Sequence, residues 1–438
     1  MLTPITPTET NPAKFVNANS EIGSDDDIVK LRINGELRKY IKYSVTAGVM
    51  AQPSTISVTL GSGDLAKDLL ATCLPGSKFE LYVGPTLVQS GILEDPTTGQ
   101  GTGATEVTIA GRDWMSRLAR RYIRNDKHFG TPTYFDLTRQ VLDICDLKDR
   151  KLYSDNQANR RHLTRSANAS AAATTDVVAQ TETNAIIKPG SKVVYQRIVA
   201  KVGQTWFDFL KSQYKQVGLY LWATPSGDFV LARPTAKQRP LYYLHHGRGL
   251  TRDATNVISI AYQNRTSGRH AWATVVGRTG QGENGRGEVA GGVHDMEMLN
   301  FGFTDELIIH DHDCKTTKAC YYMAQRTLAE ERRANCCITV TVSGHTTPSL
   351  LDAGKMVVWS PDTVVTLLSD ELGLEDDYYI EEVTFSRSPQ TITTLKLMRK
   401  WDVMYLGESD FVEPAFKDVD ATQPERSVDL GIGSAGQF

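Results

Sequence analysis

The chain has 438 residues, 40% of them hydrophobic and 23% charged, so it can form sizeable cores, and its length predicts about three domains. A formal net charge of −3 and a pI of about 6.3 argue against a general nucleic-acid-binding protein and against a membrane-surface protein. No apolar run approaches the roughly 20 residues of a transmembrane helix, and the first residues lack the basic and apolar segments of a signal peptide.

Six cysteines are scattered along the chain without the spacing of a disulfide framework. Two of them, Cys336 and Cys337, are adjacent, and a disulfide between neighbours would be strained. We therefore expect reduced, mostly buried thiols in a protein made in a cytosol.

The first part of the chain predicts a flexible arm over residues 1–27, ending in an acidic run, and a tube-like β domain over residues 28–114. This domain opens with a predicted hairpin whose turn is Asn34-Gly35. Asn and Gly are preferred in such a turn because both of its central positions need positive φ. Apolar residues alternate with polar ones in the segments that follow, which indicates further strands.

Four arginines recur at helical spacing after Trp114 and predict a short basic helix. They are Arg117, Arg120, Arg121 and Arg124, with Leu118, Tyr122 and Ile123 on the other side. Two interpretations stay open: a surface helix with solvated arginines, or a basic stripe that faces an acidic partner.

A mixed α/β domain is predicted over residues 115–249. Apolar residues at helical spacing between Phe135 and Ile144 indicate an amphipathic helix. Residues 154–189, rich in Ala, Thr, Asn and Ser, predict a long loop.

A second helix of this domain is better marked. Thr205 is a good N-cap with Asp208 three residues later, and Gly218 is placed to end the helix. Apolar segments on both sides of a Pro-Ser-Gly-Asp turn then predict a hairpin over residues 219–231.

Residues 250–405 predict a second tube-like β domain, with strands at 257–262 and 272–276 and a helix over 315–333. Residues 406–438 are acidic and contain Pro and Gly, which predicts a loosely ordered tail.

The same order of signals occurs twice, over residues 76–114 and 354–401. Each copy has an alternating strand after Gly and Lys, a second strand, and a Thr-rich strand that ends in a basic residue and Trp. The matched segments are 76–83 and 354–359, 87–93 and 378–385, and 105–114 and 393–401. We predict an internal duplication, although two unrelated meandering sheets would give a similar pattern. Neither copy has a catalytic signature, so the repeat indicates architecture.

Residues Gly280 to Gly285 have the pattern G-x-G-x-x-G after a strand, as in dinucleotide-binding loops. That fingerprint also needs a helix N-terminus aimed at the pyrophosphate, whereas the next residues contain three more glycines and no helical face. We expect a surface loop and no cofactor.

His310, His312 and Cys314, with Cys320 beyond, form the densest group of potential metal ligands. Alternate histidines on a strand project to one face, and a thiolate nearby would suit zinc. The same residues precede a helix, where capping residues are expected, and no second ligand pair occurs elsewhere. We predict a strand-to-helix turn, with a metal site as the alternative.

No catalytic residue is expected. His245 and His246 follow an aromatic strand at a predicted domain junction, and nothing matches a nucleophile elbow, a Walker loop or a Cys/His/Asn set. Carboxylates are plentiful, but none occurs in a recognisable glycosidase context.

In their order along the chain, four stretches resemble the baseplate hub proteins of contractile-tailed phages, specifically the Mu-like tail hub family. That family shares its fold with phage late control protein D and with the N-terminal part of VgrG spikes. The stretches are 74–78 with 90–93; 202–210 with 218–222 and 226–229; 334–335 with 338–345; and 354–398. Together they cover about 28–405, and no single motif among them is specific.

The resemblance implies a mainly β fold with an α/β part: two tandem tube-like β-barrel domains, a mixed α+β domain, and a homotrimer. Three such chains would form a pseudo-sixfold ring that matches a hexameric tail tube on one side and a trimeric spike on the other. The implied partners are the tail tube protein, the central spike protein and other baseplate and tape-measure proteins. DNA would only pass through the lumen, without sequence-specific binding, which a mildly acidic chain suits.

The expected protein is therefore a non-enzymatic virion component of the tail baseplate, assembled in the host cytoplasm, without cofactors and without membrane insertion. One alternative is the hub of a VgrG-like contractile injection or secretion device. A fused spike domain would mark that class, and its absence from this sequence favours a separate spike protein. The other alternative is an enzyme, either a cell-wall hydrolase or a metal-dependent one.

Overall fold

The computed structural model describes residues 28–50, 53–60, 73–100, 105–130, 132–155, 163–164, 194–195, 198–215, 217–247, 257–278, 288–311, 314, 317–352 and 355–407. The predicted arm, most of the predicted 154–189 loop and the predicted tail beyond residue 407 lie outside these ranges.

The N-terminal β unit is an antiparallel set of strands with the order β3-β4-β7-β6-β5-β1-β2. The strands are β1 (Val29–Ile33), β2 (Glu36–Arg38), β3 (Tyr40–Gly48), β4 (Thr55–Leu60), β5 (Lys78–Val83), β6 (Thr86–Gln100) and β7 (Thr105–Asp113). The predicted hairpin is confirmed: β1 pairs with β2, and Asn34 and Gly35 have φ of 50° and 86°.

The α/β region follows. Its elements are α1 (Ser116–Arg120), β8 (Lys127–Gly130), α2 (Tyr134–Ile144), β9 (Leu152–Ser154), β10 (Leu163–Thr164), β11 (Val194–Tyr195), β12 (Ile198–Ala200), α3 (Trp206–Tyr214), β13 (Tyr220–Ala223) and β14 (Phe229–Ala232). The side chain of Thr205 accepts a hydrogen bond from the Asp208 backbone N–H at 3.1 Å, which confirms the predicted cap of α3. The predicted helix between Phe135 and Ile144 and the 219–231 hairpin are also present as α2 and β13–β14.

Two helix predictions were wrong at their C-terminal ends. The basic helix stops at Arg120, because Arg121 and Ile123 have extended-chain hydrogen bonds with Trp206 and Gln204, and Tyr122 is 61% exposed. Helix α3 stops at Tyr214, although Gly218 does have a positive φ of 67° in the turn that follows.

The C-terminal part contains the second β unit and an insertion within it. Its elements are β15 (Tyr242–His246), β16 (Val257–Asn264), β17 (Trp272–Arg278), β18 (Glu288–His294), α4 (Met296–Asn300), β19 (Glu306–His310), α5 (Thr317–Asn335), β20 (Cys336–Ser343), β21 (Thr346–Pro348), β22 (Met356–Val358), β23 (Thr363–Ser369), β24 (Leu374–Arg387), β25 (Thr391–Arg399) and α6 (Lys400–Gly407). Both predicted strands, at 257–262 and 272–276, and the predicted helix near 315–333 occur. Residues 400–407 are helical and bury Val403 and Leu406.

Both β units belong to one sheet, because β24 of the second unit pairs with β3 of the first. The sheet runs from β16 through β20, β25 and β24 to β3, and β23 and β15 branch off at β24. The mainly β class with an α/β part is confirmed. Within the described residues the pairings end at β2 and β16 and do not close, so the tube-like barrels are open in the single chain.

The main hydrophobic core draws on both β units, including Val45 and Ile109 from the first and Phe385 and Leu395 from the second. A separate core fills the α/β region, around residues such as Leu137 and Phe209. No described helix is both long and apolar enough to span a membrane. The two β units are therefore joined by a shared sheet and a shared core.

Candidate assembly site

Five strands of one β unit correspond to five strands of the other in order and direction. The equivalent pairs are β3 and β16, β4 and β20, β5 and β23, β6 and β24, and β7 and β25. In each unit these strands follow one antiparallel path, β3-β4-β7-β6-β5 in the first and β16-β20-β25-β24-β23 in the second. The predicted internal duplication is therefore present in the strand topology.

Two β-bulges occur at equivalent places in both units. The β3–β4 register shifts at Ile41, and the β16–β20 register shifts at Ile258. The β6–β7 register shifts at Glu94, and the β24–β25 register shifts at Glu381. A bulge is a specific local feature, so two coincident bulges distinguish a duplication from two unrelated meanders.

The first segment of the predicted repeat was matched wrongly. Residues 356–358 form β22, which pairs with β21, whereas β23 occupies the position of β5. Strand β23 is buried along most of its length, and its apolar residues come in adjacent pairs, Val364-Val365 and Leu367-Leu368, without alternation. Such a pattern gives no period-2 signal.

The second unit contains an insertion between β16 and β20, where the first unit has only a short connection between β3 and β4. In this insertion the sheet β18-β17-β19 packs against α5. Close packing requires Gly291, since a Cβ there would lie 2.5 Å from the backbone N of Tyr321 on α5.

A buried ion network holds the insertion together and links it to helix α6. Asp295 accepts hydrogen bonds from Arg332 at 2.9 and 3.0 Å and from Arg269 at 2.8 Å, and its side chain is 1% exposed. Arg332 also donates to Asp402 of α6 at 3.1 Å. Burial alone would raise the pKa of Asp295, but the two arginines outweigh it and lower that pKa to about 2.

The two β units meet where β24 pairs with β3. Thr384 lies opposite Thr46, with their hydroxyl oxygens 3.1 Å apart, and the neighbouring pair of Phe385 and Val45 is fully buried. Beside this junction the bulge residue Glu381 is buried, with Arg333 at 2.6 Å and Lys396 at 3.1 Å. Main-chain pairing and apolar burial thus hold one unit against the other.

The strands equivalent to those of the junction have open edges. On one side, residues 95–100 of β6 pair with β7. On the other side, β5 pairs only with the earlier part of β6, and no described strand pairs with residues 95–100. Strand β16 pairs with β20 alone among the described strands. Asp95, Thr97 and Arg265 are exposed along these edges, and Tyr262 is 47% exposed. An open edge is a template for pairing with another chain.

The bulge residue Glu94 is the equivalent of Glu381 and lies beside the open edge of β6. Its side chain is 8% exposed and contacts Arg120 at 2.9 Å and Arg112 at 3.4 Å. The four arginines of the predicted stripe line an open groove of about 1000 Å³ that also contains Glu94. Arg121 pairs with Asp146 at 2.7 Å, so the stripe is partly neutralised within the chain.

The metal-site residues are only partly brought together. His310 is exposed at the end of β19, Cys314 is buried next to Cys320, and His312 lies outside the described residues. A hydrogen bond with Cys320, together with burial, raises the pKa of Cys314. In the part of the chain that the structure describes, no group of three or more His, Cys, Asp or Glu could hold a metal ion.

The glycine pattern Gly280 to Gly285 also lies outside the described residues. The strands on either side of it, β17 and β18, pair antiparallel with Arg278 opposite Glu288. A strand therefore follows the glycines where a dinucleotide fingerprint requires a helix. His245 and His246 end β15, and His245 Nε2 lies 3.6 Å from a carboxylate oxygen of Asp370.

No protein-family model matches the sequence, and no curated protein matches it either. A tail protein from Neisseria meningitidis MC58 aligns with a TM-score of 0.65 and 18% identity over 87% of this chain and 98% of that chain. The 43 kDa tail protein of prophage MuSo2 from Shewanella oneidensis aligns with a TM-score of 0.64 and 17% identity, over 86% of this chain and 99% of its own. A type VI secretion system component from E. coli aligns with a TM-score of 0.47 and 8% identity, over 84% of this chain and 76% of that chain. The chain thus has the fold of phage tail proteins, as the sequence resemblance implied.

Proposed function

We propose that this chain, with its phage tail protein fold, is the structural hub of a tail baseplate. Three copies form a pseudo-sixfold ring that joins the hexameric tail tube to the trimeric central spike and lets DNA pass. The single observation that carries this function is the duplication, in which two β units share their strand order and two bulges at equivalent places.

The duplication suits an assembly with more equivalent units than chains. A chain with two equivalent units offers six equivalent units when three copies close into a ring. One face of such a ring presents six similar surfaces to a sixfold partner, and the differences between the units give the other face threefold symmetry. The insertion between β16 and β20, present in one unit of each chain, is such a difference.

The proposed work is symmetry adaptation and assembly, with no bond made or broken. Its partners are the tail tube protein, the central spike protein and other baseplate and tape-measure proteins, and its place is the virion after assembly in the host cytoplasm. A net charge of −3 suits a ring through which DNA slides, since phosphate affinity comes mainly from Lys and Arg.

Sedimentation of the full chain, alone and with tail tube and central spike proteins of the same particle, tests this function. We expect a species with about three times the 48.4 kDa mass of one chain, formed alone at high concentration or on addition of a partner. A chain that stays monomeric in every mixture would contradict the ring. Peptidoglycan hydrolysis that is lost on substitution of one carboxylate would instead indicate the hydrolase.

A further inference from the structure

We infer that the ring closes by strand pairing: β6 of one copy adds antiparallel to β16 of the next copy. This inference rests on the proposed ring and names the contact that builds it. The contact between copies repeats the β24–β3 contact within the chain, because β6 is equivalent to β24 and β16 is equivalent to β3.

The bulges fix the register of the new contact. Within the chain, Thr384 lies opposite Thr46. Thr384 is three residues after the bulge at Glu381, and Thr46 is five residues after the bulge at Ile41. The same offsets from the Glu94 and Ile258 bulges lead to Thr97 and Gln263. Thr97 should therefore lie opposite Gln263 of the next copy.

Counting from the bulges in the same way, Asp95 is the equivalent of Glu382 and Arg265 is the equivalent of Gly48. Since Glu382 lies opposite Gly48, Asp95 should lie opposite Arg265 of the next copy. Both side chains are exposed in the single chain, and they carry opposite charges. Opposite charges that face each other across an antiparallel pair stabilise it, whereas like charges destabilise it. The register derived from the bulges is thus also the one that matches charges.

Burial points to the same contact. Tyr262 is the equivalent of Val45, which is 0% exposed, lies opposite Phe385 of β24 and belongs to the main hydrophobic core. Without a covering strand, Tyr262 is 47% exposed. A strand added at this edge would cover an aromatic side chain at a position that is buried in the other unit.

A second copy of this chain fits these edges better than another protein does. Each chain has both halves of the contact, and their registers and charges are complementary. A heterologous contact of this kind closes into a ring when it is repeated by rotation. The threefold ring then contains three contacts within chains and three between chains. They share one pairing, except that Pro96 stands where Val383 is and donates no backbone hydrogen bond.

Disulfide trapping tests the register. The trap is Thr97→Cys with Gln263→Cys, made in a Cys337→Ser background because Cys337 Sγ lies 3.8 Å from the Gln263 side chain. Under mild oxidation we expect covalent dimers and trimers on a non-reducing gel, since residues opposite each other on paired strands suit a disulfide.

Two matched controls accompany the trap. The pair Thr46→Cys with Thr384→Cys should form a disulfide within one chain, without a gain in mass, because it is the same contact inside the chain. The pair Thr97→Cys with Ala261→Cys is two residues out of register and should give few covalent oligomers.

Charge reversal gives a second readout that needs no cysteine. Asp95→Arg or Arg265→Asp alone should raise the concentration at which the oligomer dissociates by at least about fivefold, and the double variant should restore it. A trimer by mass that forms neither the Thr97–Gln263 disulfide nor the charge rescue would overturn this pairing and leave the ring intact. A chain that is monomeric in all mixtures would overturn both.

Discussion

Glu94 and Glu381 occupy the same bulge in two equivalent strands, and each is buried against two cationic side chains. Glu381 lies where one β unit meets the other within the chain. Glu94 lies beside the open edge where we expect the next copy to dock. The two carboxylates therefore mark one structural position used twice, once inside the chain and once, by our inference, between chains.

The two glutamates should differ in their contribution to the stability of the isolated chain. Glu381 is fully buried, with cations that are 23% and 32% exposed, whereas the cations of Glu94 are 45% and 62% exposed. We expect Glu381→Ala to lower the free energy of unfolding by about 2 kcal/mol, and Glu94→Ala by at most about 1 kcal/mol. Urea unfolding of both variants measures the difference, and equal losses would show that burial of the pair does not matter.

Gly91 should be irreplaceable because β7 approaches it closely. A Cβ at this position would lie 2.0 Å from the carbonyl O of Arg112 and 2.9 Å from the Cα of Asp113. Since both are backbone atoms, Gly91→Ala should destabilise the chain by about 3 kcal/mol or prevent folding. The control is Gly48→Ala, where the nearest atoms are at 3.4 Å. If thermal unfolding places both variants within about 1 kcal/mol of the parent chain, the tight β6–β7 approach is wrong.

Acid should weaken the ion network around Asp295. Because the folded-state pKa of Asp295 is depressed to about 2 from an ordinary 3.8, its stabilisation is present above about pH 4 and is lost as the pH falls towards 2. This loss amounts to about 2 kcal/mol. Asp295→Asn should be less stable than the parent by about 3 kcal/mol at pH 7, with the difference shrinking below pH 4.

Chemical denaturation at pH 7, 4, 3 and 2 measures that difference. The exposed Asp352→Asn is the matched control, and its stability should follow that of the parent chain at each pH. A difference for Asp295→Asn that stays constant down to pH 2 would show that the ion network does not depend on this carboxylate.

Asp362 should have the opposite pH dependence. Burial raises its pKa to about 7, against the lowering effect of the hydrogen bond from Tyr379 at 2.8 Å. A raised folded-state pKa means that its stabilisation is present below about pH 4 and is lost as the pH rises towards 7. Asn keeps an acceptor for Tyr379 and tolerates the φ of 59° at this position. Relative to the parent, Asp362→Asn should therefore gain about 3 kcal/mol between pH 5 and pH 8.

Thermal unfolding at pH 5 and pH 8 checks this result. The parent chain should lose stability over that range in comparison with Asp362→Asn. A variant that is equally destabilised at both pH values would mean that Asp362 is ionised in the folded protein.

Local chemistry made much of the fold predictable. The Asn34-Gly35 turn and the Thr205 cap gave correct elements because their signals lie within a few residues. Strand β23 was missed because a strand buried along most of its length does not alternate. The basic helix was predicted too long because the backbones of Arg121 and Ile123 hydrogen-bond to residues more than 80 positions away. A local sequence pattern does not indicate such long-range contacts.

The assembly site was harder to predict. The repeat indicated that two units were equivalent, but the β24–β3 contact joins residues that are hundreds of positions apart in the chain. The bulges at Glu94 and Glu381 became visible only in the strand register. Likewise, the Asp295 network joins arginines and carboxylates from four separate segments of the chain, and their charges alone gave no signal of burial.

Electron cryomicroscopy of the assembled hub tests the central claim most directly. We predict six β units around one channel, with β24 beside β3 at three junctions and β6 beside β16 of the next copy at the other three. An assembly with only three of the units around the axis, or with the two units of one chain in unrelated surroundings, would contradict the claim.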